Sequence, residues 1–397
     1  MHPIVLKCFI LKKNVVVFSH LGLYKGKKLY EFLILDNKYS FLVDSNTNWN
    51  LSSDLILKNR GDPMEDKTKI RLTAAEMSGL WTQYLSDTLS LCVGRYFLEK
   101  VEDEEVRPII EFTLDVANGN LTIMQELFEK ENFPVPNGFT EQDVNPKAPK
   151  LFSDTFVLMF YRNLSILAMA ASGAALGLVT RPDLVAFFKR ISNAAIKLQD
   201  LTRDLMLKQG TYVRPPYISM PDKVDFVKRE HFLAGFFGHK RPITSVEVTH
   251  LFLNIQTNTI GKALITGYAQ IAQDKEVKDY MVRGIQIAQQ HVDLFSEILK
   301  SEDLPAPMIW DSAVTDSTTP VFSDKLMMFN VSSMVAAGIG NYGMAMAASP
   351  RRDIALKYAA LVPEISMYAE TGAKIMIKHG WMEKPPQADD RNEIIQG

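Results

Sequence analysis

Apolar residues at intervals of three and four run through most of the chain from Thr73 onward, the spacing that lays a stripe along one face of an α-helix. The clearest case begins at Thr244-x-x-Glu247. This is a capping box, in which a hydroxyl and a carboxylate satisfy backbone N–H groups at a helix start. Val248, Leu251, Phe252 and Ile255 follow at helical spacing and predict a helix over 244–272. Asp274 can cap a second helix over 275–299, with Val277, Met281, Ile285, Ala288, Val292 and Ile298 on or near one face. Pro305 and Pro307 then break the pattern, because proline lacks the N–H that a helix interior needs. A third helix opens at Ser323 or Asp324 and runs to about Ala348. A fourth runs from near Pro350 to Gly380, a residue suited to the left-handed backbone just past a helix end. The earlier half of the chain reads likewise, with helices over 73–101, 104–130, 153–179 and 182–209.

The two sets of helices repeat each other. Leu72-Thr-Ala-Ala-Glu76 returns as Ile243-Thr-Ser-Val-Glu247, and Glu131-Asn-Phe-Pro-Val-Pro136 returns as Glu302-Asp-Leu-Pro-Ala-Pro307, both at an offset of 171. One deletion makes the offset 170, so that Phe152-Ser-Asp154 matches Phe322-Ser-Asp324 and Arg181-Pro-Asp183 matches Arg351-Arg-Asp353. A period this long marks duplicated domains rather than a solenoid. The expected fold is all-α, a tandem duplication of an up-and-down four-helix bundle. The first copy occupies 64–225, and the second, with the connector, occupies 226–397. In each copy the long loop between helices two and three is expected to cross the bundle's end.

Residues 1–63 stand apart. They hold nine Lys plus Arg, five Asp plus Glu, no Ala and no Gln, a net of +4 within a chain of net -2, which leaves -6 for the rest. Tyr30–Asp36 and Tyr39–Asp44, with Asn37-Lys38 between, can form a β-hairpin. The sequence favours a different reading, an upstream region translated in error, with Arg60-Gly61-Asp62 encoded by a ribosome-binding stretch just before Met64. This N-terminal extension is set aside from the functional reading.

Composition excludes several classes. The near-neutral charge offers no basic footprint for nucleic acid, and two cysteines cannot build a disulfide framework or a thiolate zinc site. The usage suits a reducing cytoplasm. No Gly-rich phosphate loop, nucleophile elbow or His-Glu-x-x-His motif is present, and no nucleophile–base pair is identifiable, so enzyme status stays open. The small-residue runs Ala168–Gly177 and Gly338–Ala347 read as closely packed soluble helices rather than membrane spans, because Ala and Gly supply little apolar area. The connector over 215–242, with Phe226, Phe232, Phe236 and Phe237, is expected to dock between the bundles. A homo-oligomer remains open, and no protein partner is identified.

Thr73-x-x-Glu76 with Leu80-Trp81, Glu131–Thr140, Leu151-Phe-Ser-Asp154 and Tyr212-x-Arg-Pro-Pro-Tyr217 together resemble a family of tandem helical bundles from spore-forming bacilli and related Firmicutes. That family is catalogued as a domain of unknown function, and some members are labelled spore-coat-like. The resemblance covers about residues 70–390. It implies the bundle fold, a spore association alongside the cytoplasmic reading, and a metal, iron foremost, held within a bundle. It implies no reaction.

The residues themselves offer one sharp constellation. Glu247-x-x-His250 places two donors on one helix face, as in di-iron carboxylate bundles. His291 on the next helix and Glu364 on the last could complete a mixed nitrogen and oxygen shell for iron, with manganese or zinc as less favoured occupants. Counted from the turns near 272–275 and 349, taken as lying at one end, His291 and Glu364 sit at similar heights and His250 roughly 7 Å away. Two features oppose the full set. Glu247 already belongs to a capping box, and in the first copy Gly79, Asn120 and Ala194 stand where His250, His291 and Glu364 stand in the second. A non-catalytic structural or interaction protein is therefore the alternative.

Overall fold

The computed structural model describes residues 7–11, 14–24, 27–34, 40–44, 70–236, 240–307 and 310–396. It divides into two units, Met1–Glu65 and Asp66–Gly397. In the first, β1 (Lys7–Leu11), β2 (Asn14–Tyr24), β3 (Lys27–Ile34) and β4 (Ser40–Asp44) form an antiparallel sheet in sequence order. The hairpin anticipated from sequence corresponds to β3 and β4, with Tyr30 opposite Val43 and Phe32 opposite Phe41. Its anticipated turn at Asn37-Lys38 lies outside the described residues.

The second unit is the tandem of helical bundles. The first copy contains α1 (Ala74–Lys100), α2 (Arg107–Glu131), α3 (Asp154–Leu176) and α4 (Pro182–Lys208). The second contains α5 (Ser245–Ile271), α6 (Lys275–Lys300), α7 (Asp324–Ala348) and α8 (Arg352–Lys378), followed by the short α9 (Arg391–Gln396). Thr73 and Thr244 close the expected capping boxes with Glu76 and Glu247. Gly380 follows α8 at φ +68°, a left-handed geometry that a Cβ would strain. The start of α2 is three residues later than expected. The chain first turns through Asp103–Val106, and Pro108 stands in the helix's first turn.

The direction of the helices differs from the expectation. Asp324 at the start of α7 accepts hydrogen bonds from Gln273 and Asp274 N–H, between α5 and α6 (3.1 and 2.7 Å). Asp154 at the start of α3 does the same for Glu102 and Asp103 (3.0 and 2.8 Å). The loop between helices two and three therefore runs the length of the bundle instead of crossing its end. Helix three points the same way as helix two, giving an up-down-down-up order in each copy. The turns near 272–275 and 349 consequently lie at opposite ends, which corrects the height arithmetic based on them.

These long loops also hold the copies together. Asn145 N–H donates to Val321 C=O (2.7 Å), and its repeat equivalent Thr315 N–H donates to Leu151 C=O (2.9 Å). Ser153 N–H reaches Ala313 C=O and Ser323 N–H reaches Asp143 C=O, both at 2.9 Å. Every bond has its partner under exchange of the copies, the signature of an isologous contact built within one chain. Tyr96 of the first copy meets Phe322 of the second edge-on at 5.3 Å. On the opposite side Phe152 lies against Gly267, the residue equivalent to Tyr96.

Among the described residues α3 is the one helix long and apolar enough to cross a membrane, and less than half of its most apolar stretch is buried. The connector departs from expectation. Phe226 and Phe236 are exposed rather than docked between the bundles, while Phe232 lies under the Arg241 guanidinium at 4.1 Å. Phe237 and His239 lie outside the described residues. Cys92 packs as a small buried group, its thiol donating to Thr140 C=O and pushed up to about 12 by burial.

Candidate functional site

Glu247 is fully buried, and both of its oxygens are occupied. Oε1 accepts from Arg241 Nη2 and Arg351 N–H (both 2.9 Å). Oε2 accepts from Arg241 Nη1 (2.8 Å) and from the Thr244 N–H and hydroxyl (2.7 and 2.9 Å). Burial alone would raise its pKa. The Arg241 hydrogen bonds and the N–H groups of Thr244 and Arg351 outweigh that and hold the carboxyl down at about 2. Buried Arg351 continues the network to Glu302 (2.6 Å) and Asp353 (2.9 Å). The first copy builds the corresponding tie from Glu76, Arg181, Glu131 and Asp183, with Ile70 where Arg241 stands in the second. Glu247 is thus a structural tie joining the start of α5 to the start of α8 and the end of α6.

The remaining three expected ligands are not gathered round it. Glu247 lies two residues and Glu364 twelve residues from the same bundle end (245 to 247, 352 to 364). Ten residues at 1.5 Å each separate them by roughly 15 Å along the axis. His250, five residues from that end, and His291, nine from it (300 back to 291), differ by about 6 Å on the same reckoning. Two of the four do meet: His291 Nε2 lies 3.7 Å from Glu364 Oε2, and Arg283 binds the other Glu364 oxygen at 2.6 Å.

His291 is wholly buried. Asn258 donates to the Tyr342 hydroxyl oxygen (2.9 Å), which lies 2.7 Å from His291 Nδ1. With Asn258 as donor, the Tyr342 proton is free to serve Nδ1, which leaves the ring's own proton on Nε2. Burial lowers the His291 pKa, and the nearby Glu364 carboxylate opposes this in part. Nε2 has no hydrogen-bond partner. His291, Asn258 and Tyr342 line a crevice of about 80 Å³.

A different group of donors comes together at the other end of the second copy. Asp274, which caps α6 through Oδ1, lies beside Glu276 and His379, with one donor atom of each within 4.8 Å of the others. Among the described residues this is the one such group of three. His379 Nε2 stands 3.9 Å from both carboxylates, is buried, and lacks a hydrogen-bond partner. Trp381 stacks on its ring at 4.4 Å. In sequence Asp274 reads as a cap, and His379, next to Gly380, suits a helix C-terminus through charge and carbonyl contacts. Because two helix ends separated by about a hundred residues meet here, no local motif announces the group.

The first copy supplies a comparison for each place. Gln209 replaces His379, and its Nε2 donates to Asp103, the equivalent of Asp274, at 2.8 Å. Where the second copy has Asn258 and His291, the first has Asp87 and Asn120, with Arg190 bonded to Asn120 (3.2 Å) and Gln83 to Asp87 (2.9 Å). Burial raises Asp87 to about 7, against the lowering effect of Gln83, Asn120 and Arg190. Sequence reading missed this carboxylate. The available signal was an acidic residue aligned with Asn258 on the stripe that carries Leu80 and Thr88.

A family model described as "Protein of unknown function (DUF3231)" matches residues 64–224 and again 231–394. No curated protein matches the chain. A crystal structure from Bacillus halodurans C-125, described as a "putative spore coat protein", is similar at 22% identity and a TM-score of 0.35, covering 38% of this chain and 98% of its own. The two matches together take in most of the sequence, so this chain belongs to the DUF3231 family of unknown function and carries its domain twice.

Proposed function

We propose that this protein is a metal-binding helical bundle whose cation is held in the second copy by Asp274, Glu276 and His379. The observation that carries the reading is the buried, unpartnered His379 Nε2 facing two carboxylates at 3.9 Å. One imidazole and two carboxylates suit iron(II), manganese(II) or zinc(II), and the set leaves coordination positions for water. Asp274 Oδ1 serves the α6 N–H groups, which leaves Oδ2 for a cation. Lys378 Nζ, now 2.6 Å from Glu276, would give way to it. Iron, the metal expected from the sequence, fits this donor set, and the second copy remains the expected location.

The first copy suggests the control. Gln209 fits beside Asp103 without disturbing the helices, so His379→Gln is expected to fold normally. Protein purified without a histidine tag should take up about one equivalent of iron(II), manganese(II) or zinc(II) by calorimetry and elemental analysis, and His379→Gln should take up none. Wild-type protein that binds no metal, or a variant that binds it equally well, would defeat the proposal. The alternative, a non-catalytic structural protein, is favoured by the reciprocal bonding between copies, which fixes their geometry without any ligand.

A further inference from the structure

We infer that the second copy also binds a small neutral molecule with an apolar body and one hydroxyl group, in the crevice at His291. The Asn258–Tyr342–His291 chain places a proton on Nε2, and that N–H has no acceptor within reach. Glu364 Oε2 is 3.7 Å away, too far for a hydrogen bond, and its carboxylate is held in place by Arg283 at 2.6 Å. A buried donor and a carboxylate acceptor are therefore separated by a gap that one hydroxyl oxygen can bridge. It would accept from Nε2–H and donate to Oε2. A second anion is disfavoured there by the charge of Glu364, and an ether or ketone has no proton to donate to Oε2.

The walls account for the apolar body. Gly261, Gly284 and Gly338 lie along its walls, where Met334, Tyr368 and Ile365 pack against them, and Ile265, Ile287 and Val335 face it. The equivalents of those glycines in the first copy are Ser90, Thr113 and Ala168, each with a side chain. The crevice of about 80 Å³ adjoins another of about 60 Å³ at the seam between copies, and Asn163, Leu167 and Met334 line both. Together they approach the ~150 Å³ apolar cavity known to take up benzene. A single-ring phenol matches this size and polarity.

The test is a titration of the full chain with phenol and, separately, with toluene, read by calorimetry and by the His291 imidazole NMR signals. Phenol should bind saturably and at least about tenfold more tightly than toluene, shifting those signals. Glu364→Ala should abolish the preference. The first copy has Ala194 at that position, so the helix accommodates the change. His379→Gln should leave phenol binding unaltered, which separates this site from the proposed metal. Equal affinity for phenol and toluene, a preference that survives Glu364→Ala, or no shift of the His291 signals would overturn the inference and leave only water in the gap.

Discussion

At the scale of single residues, Glu247 and Asp87 are both buried carboxylates with opposite surroundings. Glu247 meets a guanidinium and three N–H or O–H donors, and its carboxyl is held at about 2 against an ordinary 4.5. Folding favours the ionised form. Its contribution is therefore complete above about pH 4.5 and is lost as the pH falls toward 2. The interval corresponds to roughly 3 kcal/mol. Glu247→Gln should lower stability at pH 7 by about 2–4 kcal/mol, because the Arg241 guanidinium and the backbone N–H groups of Thr244 and Arg351 lose their charged acceptor. It should also flatten the acid limb between pH 4.5 and 2. Urea denaturation at pH 7, 4 and 3 measures both effects, and an unchanged acid limb would contradict the assignment. Asp87, pushed up to about 7, has the reverse sign. Its contribution is intact below about 3.8 and declines as the pH rises through 7.

At the scale of elements, helix faces are matched to one another through glycines at specific points. A Cβ on Gly267 would stand 2.5 Å from Phe152 Cζ, and Phe152 is itself stacked on Phe156 at 4.6 Å. The ring has nowhere to retreat. Gly267→Ala should therefore destabilise the chain by about 1–2 kcal/mol, even after the gain in helix propensity. Gly338 provides the contrast, since its nearest neighbour would be Ile365 Cδ1 at 3.5 Å, an ordinary contact. Gly338→Ala should be neutral or stabilising by up to ~1 kcal/mol. Thermal melts of the two variants distinguish packing from propensity. Tyr280 and Tyr368 show the same device between α6 and α8, stacked at 4.2 Å with each hydroxyl seated over a glycine, Gly372 and Gly284.

At the scale of the molecule, the duplication makes one body of two bundles. The long loops exchange four backbone hydrogen bonds across the seam, and Glu383 near the C-terminus accepts from Asn137 and Gly138 N–H of the first copy, both at 2.8 Å. Separating the copies would expose Leu151, Phe152, Tyr96 and Phe322, all buried in the intact chain. Residues 64–225 produced alone should therefore self-associate through this face, and should form a one-to-one complex when mixed with residues 226–397. Size-exclusion chromatography with light scattering gives the answer. Two stable, non-interacting monomers would show that the seam contributes little.

Much of this was legible in the sequence because its causes are local. Helical spacing, the Thr-x-x-Glu boxes and Gly380 placed the ends of the eight bundle helices to within three residues, and the 171- and 170-residue offsets gave the duplication. The repeated Arg-x-Asp and Glu131/Glu302 pairs even marked the ionic knots, without saying that they were knots. Direction and convergence were not local. Whether a long loop crosses one end of a bundle or runs its length depends on where Asp154 and Asp324 find N–H partners, and spacing along the chain carries no trace of that. Reversing two helices changes which residues share a level. Tertiary structure therefore kept His291 with Glu364, gave Glu247 to the Arg241 guanidinium and the Arg351 N–H, left His250 outside, and drew His379 onto Asp274 and Glu276 from a helix end about a hundred residues away.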